Sequence, residues 1–507
     1  SPAVQVVINV AGVNDIPIPT SAAPTPISVA EDSSNTFATT LGLSLLTYSS
    51  GGGSDEFNQT LTYRLGFIPP WIKVFQSDGI TLVTPNNTLT LAELRSLTFR
   101  TSPNANGTGE IILIVRDSGG TALGGVDTLI QSIPINVYPV NDAPIATGSV
   151  TPAVAEDSAS PAGDTISNLF AANFSDATDS VGTTGGSTAN TLAGIAITAN
   201  AALSTQGKWQ WQAIGNSTWT DIATTGLADA TALYLASSTK LRFVPVANFN
   251  GTPGSLTTRL IESPATGFYN GISANVSSNG GTTSISAAAV ALGTFVAPIN
   301  DAPIATGAAT LAAVLEDTTS PTGASVSSLF GSNFNDSTDT STAAVSGGST
   351  ANVLAGIAIT ANAASPSQGK WQWLNGSTWT DIPTTGLADT TALYLASSTS
   401  IRFLPAPNFN GTPGALTTRL VDSSTALTQG NTASVSSDVS SNGGNTAISA
   451  STVALSTSIT AVNDAPIAPG AATLAAVLED TLSPAGDTVS NLFSANFSDA
   501  TDSVAST

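Results

Sequence analysis

The chain contains no cysteine, no histidine and no methionine. The first two absences remove disulfides, zinc fingers, thiol nucleophiles and imidazole bases, and with them the usual nucleophile–base pairs of catalysis. A missing Cys leaves the redox compartment open, although small eukaryotic ectodomains tend to be stapled by disulfides and bacterial secreted proteins often are not. A chain without Met is expected to be a fragment or a processed product. No signal peptide is read in these residues, so export signals, if any, are expected outside them, and no apolar run approaches the ~20 residues of a membrane-spanning helix. Bases are scarce: 12 Lys and Arg stand against 34 Asp and Glu, for a net charge of −22, and only 9 % of the 507 residues are charged. That balance argues against nucleic acid and against anionic membrane surfaces, which both need Lys and Arg. It suits a protein that binds metal cations or lives in salty surroundings.

Enough apolar residue remains for real cores, 41 %, and the length allows three or four domains. One short string organises them. Asn141-Asp142-Ala143-Pro144, Asn300-Asp301-Ala302-Pro303 and Asn463-Asp464-Ala465-Pro466 are copies, and Asn14-Asp15-Ile16-Pro17 is a near-copy. Each is followed by a Glu-Asp pair: Glu31-Asp32, Glu156-Asp157, Glu316-Asp317 and Glu479-Asp480. Repeats on this scale are arrays of folded domains rather than solenoid turns.

The expected division has five parts. Residues 1–13 read as the last strand of a preceding repeat, and 14–141 as a short β-sandwich repeat. Residues 142–300 and 301–463 are two longer repeats, and 464–507 open a fourth. In the first repeat, strands are predicted over 61–65, 71–75, 80–83, 97–100, 110–115 and 128–138, with one helical turn within 89–97. Turn signals such as Ser77-Asp78-Gly79 and Asn106-Gly107 separate them. Short strands at this spacing predict an all-β fold of tandem antiparallel β-sandwich domains joined end to end. The second and third repeats are close copies: Gly207-Lys208-Trp209-Gln210-Trp211 recurs as Gly369-Lys370-Trp371-Gln372-Trp373. They also carry Ser/Gly/Asn-rich insertions, 263–283 and 423–446, predicted as long hairpin tips or surface loops.

Strand length ties the acids together. The stretch from Asp142 to Glu156, extended at ~3.3 Å per residue, spans roughly 45 Å, about one sandwich domain. The first strand should therefore deliver Glu156-Asp157 to the far end of its repeat, beside Asn300-Asp301. Likewise Glu31-Asp32 should meet Asn141-Asp142, and Glu316-Asp317 should meet Asn463-Asp464. The penultimate strand ends at the opposite pole, which places Asp117 near Asn14-Asp15, Glu262 near Asn141-Asp142 and Asp422 near Asn300-Asp301. Carboxylates, Asn side chains and carbonyls from three segments can supply the six to eight oxygens that Ca2+ prefers. Gathered without a cation they repel. An isolated pair of this kind reads as a solvated turn, since Asn, Asp and Pro are ordinary turn formers; the co-periodic set reads as a Ca2+-locked hinge. A second motif, Asp176/Asp179, Asp336/Asp339 and Asp499/Asp502, suits either a turn or half of a Ca2+ loop. The loop acids Asp221, Asp229, Asp381 and Asp389 are expected to be exposed.

Trp209 and Trp211 share one face of a strand, as do Trp371 and Trp373. Core packing is the expected reason; an exposed platform for sugar rings is the alternative. A carboxylate pair can do glycosidase chemistry, but these acids track domain junctions instead of gathering in one site. No phosphate loop or dinucleotide fingerprint is present, and no enzyme is expected.

The Asn-Asp-Ala-Pro string, preceded by Asn248-Phe249-Asn250-Gly251 or Asn408-Phe409-Asn410-Gly411 and followed by Glu-Asp, resembles the cadherin-like tandem repeats of very large bacterial surface adhesins. The resemblance covers nearly the whole chain. It implies an extracellular, cell-surface extender for adhesion or biofilm matrix, with Ca2+ ligated by the linker residues Asn141, Asp142, Asn300, Asp301, Asn463 and Asp464. The partners it implies are neighbouring repeats and a ligand held by a distant tip. Lateral packing of copies into a filament or surface layer is the rival reading, and carbohydrate binding a further one.

Overall fold

The structure, a computed structural model, describes residues 3–32, 39–85, 87–341, 346–427 and 436–502. Strand alternation builds three successive sandwiches. In the first, Gly107–Asp117 turns Ile111, Leu113 and Val115 inward, all fully buried, and leaves Glu110 and Arg116 outside. Its sheet runs in the order Ile27–Ala30, Thr128–Tyr138, Gly107–Asp117, Leu61–Phe67. The facing sheet runs Thr39–Thr40, Thr98–Thr101, Ile72–Phe75, Leu82–Val83. Leu65, Val74 and Phe99 close the core between them. The helical turn forms as Leu91–Arg95, capped by a reciprocal Thr90–Glu93 box.

The second and third sandwiches repeat this plan with a larger sheet. Leu192–Asn200 lies between Leu256–Glu262 and Ala232–Ala236, and Leu354–Asn362 between Leu416–Asp422 and Leu393–Ala396. Opposite them stand the Trp strands, Gly207–Gln212 and Gly369–Asn375. Trp209 is 2 % exposed and Trp371 fully buried; each donates its indole N–H to a carbonyl, Gly254 at 3.0 Å and Gly414 at 2.8 Å. Each meets a Phe edge-on, Phe243 and Phe403. No stacking platform for sugars exists at either residue, so the carbohydrate reading is set aside.

Two expectations about the sheets need correction. The sandwiches are not purely antiparallel. After a short opening strand that pairs antiparallel elsewhere, the strand leading to the Glu-Asp pair runs parallel to the last strand: Ile27–Ala30 with Thr128–Tyr138, Ala153–Ala155 with Phe295–Ala297, and Val314–Leu315 with Ile459–Thr460. Both strands run from the entry pole to the exit pole, so side by side they can only be parallel. Of the two readings of the insertions, hairpin tip gives way to surface loop: Val276 of the first is buried against Tyr234 and Ile261, and Val439 of the second against Tyr394 and Val421, with Ile285 and Ile448 just beyond the insertions in the same clusters. A few apolar residues within a polar segment suffice to lay it on the outer face of the large sheet. Part of the second insertion, 428–435, lies outside the described residues.

Residues 3–13, expected as a strand, pair with no strand among the described residues and are exposed. An alternating pattern supplies no partner for its own backbone groups. From 464 to 502 the chain forms the helix Val489–Phe493 and a bridge between Ile467 and Ser498, and no described residue there is buried as a whole.

Candidate functional site: the acidic joints

At the joint between the first two sandwiches the first strand delivers Glu31, 2 % exposed, beneath the hinge. One of its oxygens accepts the Val140 amide and the Asn106 side chain, both at 2.9 Å. Asp32 follows in the left-handed region, φ 50°, and its Oδ1 holds the Asn104 amide at 3.1 Å. Asp tolerates that conformation better than most residues. From the other side, Asp179 accepts the Asp142 amide at 3.0 Å, and Glu262, fully buried, accepts the Asn141 side chain at 2.7 Å. Asp176 binds the Asn190 amide at 2.5 Å, and Asn190 in turn reaches Asn141 at 3.2 Å. The insertion closes the corner: Thr283 O accepts from Asn141, and Gly281 O accepts the Ala143 amide at 2.7 Å.

The next joint is built from the same parts. Glu156 accepts the Ile299 amide and, at 2.9 Å, the Asn250 side chain. Asp157 holds the Asn248 amide at 2.9 Å. Asp339 accepts the Asp301 amide at 2.6 Å, Asn300 reaches Asp422 at 3.4 Å, and Asp336 binds the Asn352 amide at 2.6 Å. At the third joint Glu316 accepts the Val462 amide at 2.5 Å and the Asn410 side chain at 3.1 Å, while Asp317 holds the Asn408 amide at 2.9 Å. Asp502 accepts the Asp464 amide at 2.8 Å, and Asn463 donates to the Asp464 carbonyl at 2.9 Å. Asp499, Glu479 and Asp480 are exposed.

The entry corner of the first sandwich differs. Gln59 donates to Asn14 at 2.7 Å, Asn14 donates to Val126 O at 2.9 Å, and Asp117 holds the Gly119 amide at 2.9 Å. A Cβ on Gly119 would run into Asn14 and Gln59. The Asp15 amide is held by Glu56, 2 % exposed, at 3.2 Å. Glu56 thus fills the place that Asp179, Asp339 and Asp502 fill elsewhere, a role the sequence reading missed. The Asn side chains 106, 250 and 410 were missed too. Their recurrence in the Asn-Gly turn before each hinge was the available signal.

The electrostatics are those of crowded, desolvated acids. Burial, then the Asp176 and Asp179 carboxylates, pushes Glu262 up to about 8, against the pull of the Asn141 hydrogen bond. Burial pushes Asp179 up to about 6, with Asp176, Asp142 and Glu31 adding to it. Asp301 and Asp336 also rise to about 6, again through burial first and neighbouring carboxylates second. Glu31, Asp142 and Asp464 are raised for the same reasons.

Among the described residues, no group of three or more acidic side chains is drawn close enough to grip a metal ion as it stands. A second observation bears on the donor set. Buried carboxylate oxygens that receive no hydrogen bond occur at Glu31, Glu56, Asp117, Asp176, Glu262, Asp301, Asp336 and Asp464. Six belong to the joints, and Glu56 and Asp117 to the matching entry corner of the first sandwich. Buried polar atoms are normally satisfied, and a cluster of unpaired hard oxygens fits a hard cation better than it fits protons alone. The loop acids behave otherwise: Asp221, Asp229, Asp381 and Asp389 pair with Lys208, Arg259, Lys370 and Arg419 at 2.8–3.0 Å.

No family model and no curated protein matches the sequence. Among solved structures, protocadherin gamma B2 extracellular cadherin domains 3–6 align over 89 % of this chain and 80 % of theirs, at 10 % identity and a TM-score of 0.41. Mouse cadherin-23 EC22–24 aligns over 89 % of this chain and 100 % of its own, at 14 % identity and a TM-score of 0.31. Drosophila N-cadherin EC1–4 aligns over 89 % and 76 %, at 11 % identity and a TM-score of 0.27.

Proposed function

We propose that this chain is a mechanical extender: an internal segment of a long secreted or surface-anchored bacterial adhesin, stiffened by Ca2+ at the joints between its β-sandwich repeats. The observation that supports the reading is the confinement of the buried carboxylate oxygens that receive no hydrogen bond to the joints and to the matching entry corner of the first sandwich. At the first complete joint Glu31 and Asp32 come from one repeat and Asp142, Asp176, Asp179 and Glu262 from the next. The next joint matches them with Glu156, Asp157, Asp301, Asp336, Asp339 and Asp422. Asn141 and Asn300 orient the hinge by holding the buried acid of the following repeat. Ca2+, when bound, supplies charge compensation to acids of both repeats at once. Binding and rigidity are then linked: a cation that favours one hinge geometry stabilises it in proportion to that preference.

The extender would project a tip module in adhesion or in biofilm matrix. Small-angle scattering of the chain, titrated from chelator to several millimolar Ca2+, tests this. A rise to a stiff, rod-like maximum dimension, unmatched by Mg2+, is expected. No change in dimension on adding Ca2+ overturns the reading. In Asp142→Ala or Asp301→Ala one joint softens while the sandwiches stay folded.

A further inference from the structure

A loop of the second sandwich reaches back across the joint and grips the first. Val181–Ser187 lies against the Asn106-Gly107-Thr108 turn through five hydrogen bonds of backbone and side chain. Ser187 N donates to Asn106 Oδ1 at 2.6 Å, and Asn106 Nδ2 donates to Ser187 Oγ at 2.8 Å. Thr183 Oγ1 donates to Asn106 O, and Thr108 donates through both N (2.8 Å) and Oγ1 (3.1 Å) to Thr184 O. The approach is so close that a Cβ on Gly107 would meet Thr184 O at 2.9 Å. The loop's own turn needs Gly186, where a Cβ would meet Val181 O at 2.7 Å.

The same grip recurs at the next joint with different neighbours. Ser349 N donates to Asn250 Oδ1 at 2.6 Å, Asn250 Nδ2 to Ser349 Oγ at 2.8 Å, Ser341 Oγ to Asn250 O at 2.9 Å, and Thr252 N to Ser346 O at 3.1 Å. The arrangement recurs where the clasped turns differ, Asn106-Gly107-Thr108 after Pro103-Asn104-Ala105 and Asn250-Gly251-Thr252 after Asn248-Phe249, which argues for a built contact rather than an accident of packing.

The grip is also wired to the hinge. Asn106, fully buried, spends its other contact on Glu31, which holds Val140 N. Ser187 Oγ donates to the carbonyl of Asp179 at 2.6 Å, and Asp179 holds Asp142 N. A closed circuit therefore runs from residue 140 through Glu31, Asn106, Ser187 and Asp179 to residue 142, and no cation takes part in it.

The geometry points to a second, cation-independent lock: the Gly-Gly-Ser loop of each following repeat clasps the Asn-Gly turn of the repeat before it. The clasp holds the two sandwiches in one rotational setting and pre-positions the acids of both. Its partner is thus defined chemically, as a neighbouring repeat that presents a buried Asn followed by Gly and Thr. Asn106 and Ser187 are positioning residues here. Only the part of the proposal that concerns affinity rests on the Ca2+ reading above.

Double electron–electron resonance on the full chain tests it. With no native Cys, spin labels at Lys73→Cys and Thr225→Cys, both exposed, report on this joint alone. The comparison is between the native joint and Thr183→Val/Ser187→Ala, which leaves every acid and every core residue in place. In chelator the native joint should give a narrow distance distribution, and the variant one at least about twice as wide. In Ca2+ the variant should narrow again, at a concentration raised by roughly tenfold, as for loss of an outer-shell contact. Equal widths in chelator overturn the clasp, whether both are narrow or both broad. Failure of Ca2+ to narrow either protein would sink the Ca2+ reading and leave the chelator result to decide the clasp. Circular dichroism confirms that both proteins are folded, and the single variant Thr183→Val, which removes one of the five hydrogen bonds and leaves Ser187 in place, should widen the distribution by less.

Discussion

Glu31 and Val140 stand 109 residues apart in sequence and meet at 2.9 Å, carboxylate to backbone amide. The same relationship joins Glu156 to Ile299 and Glu316 to Val462. The Glu that ends each first strand is thus the cap on the exit of the last strand. In Glu156→Ala the Ile299 amide loses its acceptor in a desolvated corner, at a cost of ~1–3 kcal/mol. Glu156→Gln keeps an acceptor and costs less. Hydrogen exchange at the Ile299 amide reads this directly: protection should fall in the Ala variant and survive in the Gln variant. Unchanged protection in Glu156→Ala would show that the cap is dispensable.

Much of this was legible in the chain itself, for a physical reason. Extended-chain length is a ruler, so the residue count from Asp142 to Glu156 pointed Glu156 to the far pole and Asn300-Asp301; the stretch is broken into three short strands, and the carboxylate takes the amide of Ile299, one residue before that pair. Alternation located Leu61–Phe67 and Gly107–Asp117. Short pairs such as Ile18–Pro19 and Tyr48–Ser49 are held by tertiary pairing with each other and leave no periodic trace. The parallel pairing of first and last strands was implied by the same ruler but not drawn from it. Glu56 was illegible because its loop, Ser50–Glu56, shares no spacing with Asp176–Asp179; only the fold brings it to the Asp15 amide. The clasp was illegible because Ser, Thr and Gly in a loop carry no pattern until the facing Asn is known.

Without a cation the joints should prefer acid. Glu262 at about 8, and Asp179, Asp301 and Asp336 at about 6, lie above the ~4 of the unfolded chain. Between about pH 4 and 8 the folded state therefore binds more protons than the unfolded, and stability falls as pH rises. This contribution is fully present below about pH 4 and is lost through 6 to 8. Asp229 and Asp389, hydrogen-bonded to Arg259 and Arg419, are lowered instead, so their opposite effect falls below this window. In metal-stripped buffer Tm should drop from pH 5.5 to pH 8.5. Saturating Ca2+, which competes with those protons, should flatten or reverse the trend. A Tm that climbs with pH in metal-free buffer would refute the assignment of these acids as desolvated and unpaired.

Glu262 separates charge from hydrogen bonding. Its Oε1 accepts from Asn141 at 2.7 Å, and its Oε2 is buried without a donor, with the Asp176 carboxylate close enough to share a proton. Glu262→Gln retains the acceptor and removes the buried charge. The variant should be at least as stable as the native chain at pH 8 in chelator, yet bind Ca2+ roughly tenfold more weakly or worse at that joint. Calorimetric titration beside thermal melting supplies both numbers. Native affinity in Glu262→Gln would remove this residue from the donor set while leaving the joint's other acids in play.

The two Trp types on one hairpin should respond very differently. Trp371 is fully buried, bonded to Gly414 O at 2.8 Å and set against Phe403 with centroids 5.1 Å apart. Trp379 is half-buried and stacked under the Arg402 guanidinium at 4.2 Å. Trp371→Ala leaves a large cavity and an unpaired carbonyl, and should cost about 3–5 kcal/mol. Trp379→Ala loses chiefly the cation–π contact, about 0.5–1 kcal/mol at such a site. Denaturant melts of the two variants, followed by the remaining Trp fluorescence, distinguish these magnitudes. Equal and small effects would mean that the strand Gly369–Asn375 does not anchor its sandwich and would reopen the question of what its Trp residues face.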